Sequence, residues 1–244
     1  RDWSSDVCSS DLWIATFNEY AIVSENRMTV IPADSNLEIA ALFGCAVTTG
    51  FGVVENNAKI RMGESVVVFG AGGIGLNIVQ AASLVSAYPI IAIDQYDNRL
   101  ELAKKVGATL TINSKSINVK RAIEEVVGST GVDSFIDNTG NVNVIELGYE
   151  IVNNKGRVTL VGVPRKGENI TIYSLPLHFG KEISGSYGGD GDPSVDIERY
   201  HNLYRNGRIQ LDDVVTDVYS IELINGAIDS MKNGDMSGRC VIKM

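Results

Sequence analysis

The sequence is poor in cysteine, histidine and positive charge. Its three cysteines, Cys8, Cys45 and Cys240, are odd in number and far apart, so no disulfide framework is expected. Lysine and arginine number 21 against 30 aspartates and glutamates, for a net charge of −9. Phosphate-rich partners are held by concentrated basic charge, so neither nucleic acid nor an anionic membrane is an expected partner. No apolar run approaches the roughly 20 residues that span a bilayer. The start of the chain has neither the basic opening nor the continuous apolar stretch of a signal peptide. A reducing cytoplasm is therefore the expected compartment. Internal repeats and low-complexity linkers are absent as well. What remains is 44% hydrophobic and 21% charged, the composition of a globular chain long enough for one large α/β domain or two modest ones.

The first twelve residues, "RDWSSDVCSSDL", stand apart, with no hydrophobic period, four serines, three aspartates and one cysteine. The string resembles an in-frame translation of a sequencing-library adapter joined to a truncated gene. Residues 1–12 are accordingly expected to be non-native, and Cys8 is not a candidate ligand. "EYAIVSENRMTVIP" then alternates as a half-buried strand pair would. A helix is expected from about Asn36 to Val53. Its Gly44, Gly50 and Gly52 cost helix stability unless a backbone or ligand must come close.

From Glu64 onward, apolar strands alternate with amphipathic helices. "SVVVFG", "PIIAID", "TLTIN", "VDSFIDN" and "GRVTLVG" read as strands, each of the first four followed by a helix. "NITIYSL" and "EISGSYGG" add two more strands, "DIERYHNLYRNGRI" and "IELINGAIDSMKNGD" two late helices, and "GRCVIKM" a closing strand. Such alternation implies a parallel sheet covered on both faces, so the expected class is α/β with a doubly wound Rossmann core.

Between the first buried strand and its helix lies "FGAGGIG". Gly70, Gly72 and Gly75, with Gly73 among them, fit G-x-G-x-x-G: a tight turn, room for a pyrophosphate, and close packing of helix on sheet. The helix N-terminus adds free N–H groups and positive dipole. Asp94 ends the next strand about 20 residues on, where a carboxylate accepts ribose hydroxyls and repels a 2′-phosphate. The expected coenzyme is NAD, not NADP. Arg99 has two readings, a reach to the adenosine ribose or a phosphate, or a first-turn pairing with Glu101. Cys45, read alone, is a small buried hydrophobe or a soft metal ligand.

"GCAVTTGFG", the loop just described, "IIAIDQYDNRLELAKKVGAT", "GVP" at 162–164, "GSYGG" at 185–189 and "GRCVI" at 238–242 occur together in one chain. With them it resembles the zinc-dependent medium-chain alcohol dehydrogenases, including their class III-like branch, from about Phe17 to Met244. The resemblance implies a Rossmann domain set into a catalytic domain of GroES-like barrel type, with remnants of that barrel at both ends: 13–45 and 188–244 as catalytic pieces, 46–187 as the NAD-binding domain. It makes Cys45 a ligand of a catalytic zinc. It sets Thr49 and Ile74 on either side of the nicotinamide, Val161, Val163 and Ser186 around its carboxamide, and Arg239 at the pyrophosphate. It leaves His178 and His201 with structural roles, and reads Cys240 as core.

The implied activity is NAD-dependent and zinc-dependent hydride transfer between an alcohol or aldehyde and the nicotinamide, in a homodimer or homotetramer with "NITIYSL" at the dimer surface. The family's other zinc ligands and its proton relay find no match here, so the chain alone is expected to be inactive. The competing expectations are a zinc-free medium-chain reductase of quinone-reductase type, in which Cys45 is inert, and a non-catalytic NAD-sensing module.

Overall fold

Val66-Val67-Val68-Phe69 is a run of β-branched and aromatic residues with every member buried, and it forms β1 (Val66–Phe69) at the centre of the main sheet. A computed structural model describes residues 17–244; the segment 1–12, with Cys8, and the first residues of the expected 13–45 remnant lie outside the described residues. Around β1 stand β2 (Ile90–Asp94), β3 (Leu110–Asn113), β4 (Val132–Asp137), β5 (Val152–Leu160) and β6 (Glu182–Gly185). Among the described residues this sheet has the order β3-β2-β1-β4-β5-β6 with every pair parallel, the doubly wound arrangement expected.

Strand residues alternate between the two faces. Val66 and Val68 belong to one buried cluster, with α1 (Leu37–Asn57), α2 (Gly73–Leu84) and α3 (Asp97–Lys105). Val67 and Phe69 belong to the other, with Ile123 of α4 (Val119–Val127) and Tyr149 of α5 (Val142–Ile151). The chain continues through α6 (Pro193–Arg205), β7 (Val215–Ser220), α7 (Ile224–Asn233) and β8 (Arg239–Lys243). Strand β7, which the sequence pattern does not announce, pairs in parallel with β8.

Helix α1 is capped by the Asn36 side chain, which accepts from Glu38 N at 3.0 Å, and runs four residues beyond the expected end, with π-turns at Phe43–Val47 and Val53–Asn57. It corrects the reading that no apolar stretch is long enough for a bilayer: 21 residues pass by length and composition. Phe43, Val47 and Val53 are nonetheless buried in the first cluster, as in a core helix. Gly50 and Gly52 are explained by close approach, Gly50 to Asn77 of α2 and Gly52 to the backbone of Gly189. Gly44 has open space around it, so the expected close neighbour is not there. The expected boundary at 45/46 falls inside α1, and that at 187/188 in the loop between β6 and α6.

Two expected strand regions are not strands. At 19–31 the chain is extended with one 3-10 turn at Glu25–Arg27, and Tyr20, Ile22 and Val30 are 88%, 98% and 94% exposed. A strand needs a neighbouring backbone, and no described segment pairs with this one. "NITIYSL" also stays out of the sheet, because α5 satisfies its backbone instead. Thr171 N donates to Glu146 Oε1 (2.6 Å), Tyr149 Oη donates to the Tyr173 carbonyl (2.9 Å), and a 3-10 turn with Pro176 follows. On that side the sheet ends at β6, as it does at β3 on the other.

Candidate functional site

Strand β1 ends where the sheet order reverses, with β2 on one side and β4 on the other, so the loops after β1 and β4 part and leave a crevice. The chain leaves β1 through Gly70 at φ +97°, a backbone state that favours glycine. A side chain at Gly75 would strike the Gly70 carbonyl, which is why helix and loop can lie so close. Gly72 caps α2 without a side-chain hydrogen bond, leaving the helix N-terminus bare.

Asp94, buried at the end of β2, is tied to this loop: its Oδ2 accepts from Ala71 N at 2.8 Å, and its Oδ1 from Gln95 N at 2.7 Å and Tyr96 N at 3.1 Å. Arg99 Nη1 lies 3.7 Å from Asp94 Oδ2, so the arginine faces the acid rather than Glu101. At the end of β4, buried Asp137 accepts from Thr139 N (2.9 Å), Thr139 Oγ1 (2.6 Å) and Gly140 N (2.9 Å), which shapes the opposing loop. Asn138 reaches across to the Gly70 carbonyl (3.4 Å).

These elements enclose a cleft of about 500 Å³. Gly70, Gly72, Gly73, Ile74, Gly75, Asp94, Arg99, Val161 and Arg239 all line it. Sequence reasoning missed Phe69, Gln95, Tyr96, Asn138 and Thr139, which line it too. The available signal was position alone, at the C-terminal ends of β1, β2 and β4. Three expected residues lie outside this lining. Thr49 is buried in α1 with its carbonyl at Gly189, Val163 is 67% exposed beyond β5, and Ser186 donates its N–H to Leu160 O (2.9 Å) while its Oγ accepts from Gly189 N (3.0 Å).

Arg239 comes from the first residue of β8 and lies against Gly73, where a side chain would strike its guanidinium. Its Nε is buried without a hydrogen-bond partner. An orphaned cationic donor beside a bare helix N-terminus fits the pyrophosphate of a dinucleotide.

Arg239 also borders a second, apolar cavity of about 380 Å³ between α1, α7 and β8. Cys45, exposed on the first π-turn of α1, lines it with half-buried Cys240, whose thiol is pushed up by burial and, secondarily, by the charge of Asp217. Zinc is a poorer fit to what surrounds Cys45. Among the described residues no three His, Cys, Asp or Glu side chains gather as a metal group. His201 is buried and hydrogen-bonded to Ser35 Oγ (3.0 Å), and His178 is exposed on the 3-10 turn; neither histidine lines the cleft or the apolar cavity.

Residues 73–205 match the family model described as zinc-binding dehydrogenase. The chain belongs to the zinc-binding dehydrogenases. Its relatives among zinc-binding dehydrogenases include an S-(hydroxymethyl)glutathione dehydrogenase of Synechocystis sp., 37% identical over 223 residues that cover 90% of this chain and 60% of the relative. Benzyl alcohol dehydrogenase from Acinetobacter calcoaceticus has a similar structure, with a TM-score of 0.86 at 32% identity over 92% of this chain and 61% of that one. An alcohol dehydrogenase zinc-binding domain protein from Burkholderia ambifaria gives 0.86 at 34%, covering 92% and 60%. The chain thus spans about 60% of the length of these relatives. The resemblance drawn from the motifs is borne out, and with it the Rossmann-type fold.

Proposed function

We propose that this chain carries the coenzyme-binding part of an NAD-dependent, zinc-dependent alcohol dehydrogenase, which moves a hydride between an alcohol or aldehyde and the nicotinamide. The observation that carries the reading is one cleft holding a glycine loop, a strand-end carboxylate and an orphaned arginine. The relatives' names, which specify alcohol-type dehydrogenases, support it. Asp94 has acceptor capacity beyond its three backbone bonds, so it would receive a ribose hydroxyl and repel a 2′-phosphate. Arg239 and the first turn of α2 would hold the pyrophosphate. Ile74 and Val161 would wall the nicotinamide end, with Thr49, Val163 and Ser186 joining them as the resemblance implies.

A catalytic zinc takes three protein ligands and acts as a Lewis acid on the alcohol oxygen. Among the described residues Cys45 shares its cavity with one other thiol, Cys240, and no group of three ligands gathers, so no step is routed through the metal here. Residues 13–45 and 188–244 are proposed as the catalytic-domain pieces flanking an NAD domain at 46–187, in a cytoplasmic enzyme. The apolar lining around Cys45 is the observation that favours a zinc-free reductase as the second reading. Calorimetry with NAD and NADP, metal analysis and an absorbance assay for NADH test these points together. NAD binding that Asp94→Ala leaves untouched would sink the coenzyme assignment, and catalysis by a zinc-free preparation would favour the reductase.

A further inference from the structure

The loop between α7 and β8 rests on the residues that follow Asp94. Arg99 Nε donates to the Met236 carbonyl at 3.3 Å, and Asn98 Nδ2 to the Asp235 carbonyl at 3.4 Å. Gly234, at φ +82°, lies so close to the Tyr96 ring that a side chain there would overlap it. Three residues after Met236 comes Arg239, with its unpartnered Nε against Gly73. Arg239 N donates to the Val214 carbonyl at 2.7 Å, which fixes its backbone on β7, and three residues of chain reach at most about 10 Å, so a shift of Met236 is carried to the Arg239 side.

Arg99 is tied at three points. Its Nε is bound to Met236, its Nη1 faces Asp94 at 3.7 Å, and its guanidinium lies 4.8 Å from the centre of the Tyr96 ring. A side chain so tied is poorly placed to bind ribose or phosphate itself. We propose that Arg99 is a positioning residue, latching the 234–236 loop to the adenosine end of the cleft and thereby holding Arg239 at the pyrophosphate. This rests on the coenzyme reading above. Asp94 and Arg239 would then act as a pair, joined through a residue that touches no phosphate.

Titration calorimetry of the 244-residue chain with AMP, ADP and NAD tests the latch, because AMP lacks the second phosphate. Arg239→Gln should weaken ADP and NAD about tenfold, one charge-assisted hydrogen bond, with AMP little changed. Arg99→Met should give the same signature, and its retained AMP binding shows that the variant is folded. The double variant should be no weaker than Arg239→Gln alone. Arg99→Lys should not rescue it, since one ammonium cannot meet Met236 and Asp94 in the fork geometry of a guanidinium. The latch is overturned if Arg99→Met leaves ADP binding intact, weakens AMP as much as ADP, multiplies the Arg239→Gln loss, or is restored by lysine. It also fails if ADP is indifferent to Arg239→Gln. A wild-type chain that binds none of the three ligands removes the coenzyme reading itself, and the latch with it.

Discussion

Asp94 carries two jobs on one carboxylate. It accepts from Ala71 N and so holds the glycine loop in place, and it faces the space proposed for the ribose. Asp94→Ser should cost NAD about 1–3 kcal/mol of binding while favouring NADP relative to wild type, read by titrating both coenzymes. A different carboxylate sets the acid limit of the fold. Asp133 Oδ2 accepts from Ser65 N (2.8 Å) and Ser65 Oγ (2.7 Å), and its Oδ1 from Asn153 Nδ2 (2.8 Å), which pins β1, β4 and β5 together at their start. Burial works to raise its pKa, but these hydrogen bonds and nearby Arg157 outweigh burial and hold it below the ordinary 3.8. Its stabilisation is therefore complete above the ordinary value and fades as pH falls through the lower, folded one. Urea melts should show Asp133→Ala about 1–3 kcal/mol less stable than wild type at pH 6, with a narrower gap at a pH well below the ordinary 3.8. An equal gap at both pH values would count against that account.

At the scale of elements, what could be read from the sequence was whatever lies close along the chain. The loop Gly70–Gly75, its strand and helix, and Asp94 form one βαβ unit whose pattern is local. Tyr96, Asn138 and Thr139 join the cleft only because β2 and β4 end beside β1, and Arg239 because β8 returns from the far end of the chain; motif resemblance alone pointed to the last. "NITIYSL" alternates as a strand would, yet Glu146 and Tyr149 take its backbone groups before any strand does. Strand β7 escaped notice because its alternation is diluted by Asp217 and Ser220. Helix α1 offers a paired test of the glycine reading. Gly44→Ala should raise stability by up to about 1 kcal/mol, because the site is open and alanine is the better helix former. Gly52→Ala should lower it by about 1–3 kcal/mol, because the new methyl meets the Gly189 backbone. Thermal melts of the two variants moving the same way would refute the contrast.

For the whole molecule, the β6 edge and the exposed Tyr173, Leu175 and Phe179 near it lie on one flank of the sheet. An unpaired edge with apolar neighbours invites association. A two-fold partner along β6 is proposed to cover that edge, giving a dimer or tetramer. Light scattering should show at least a dimer at micromolar concentration, and a clean monomer would speak against it. Tyr20, Ile22 and Val30 extend the exposed apolar surface elsewhere, so low solubility is expected of this chain.

The glycine contact between Gly52 and Gly189 reaches further than packing. Thr49, Gly52 and Asn56 all meet Gly189: a carbonyl beside it, a backbone against it, and an amide bonded to its oxygen at 2.9 Å. Cys45 precedes Thr49 by one helical turn on the same stripe. Helix α1 is thus a graduated rod about 30 Å long, with the thiol at one mark and the Ser186–Asp190 loop clipped at the next three. A single residue inserted between Cys45 and Thr49 would turn the thiol about 100° around the rod while the clip stayed fixed. The phase of one helix, rather than any contact at the thiol, sets the direction in which Cys45 faces the apolar cavity between α1, α7 and β8.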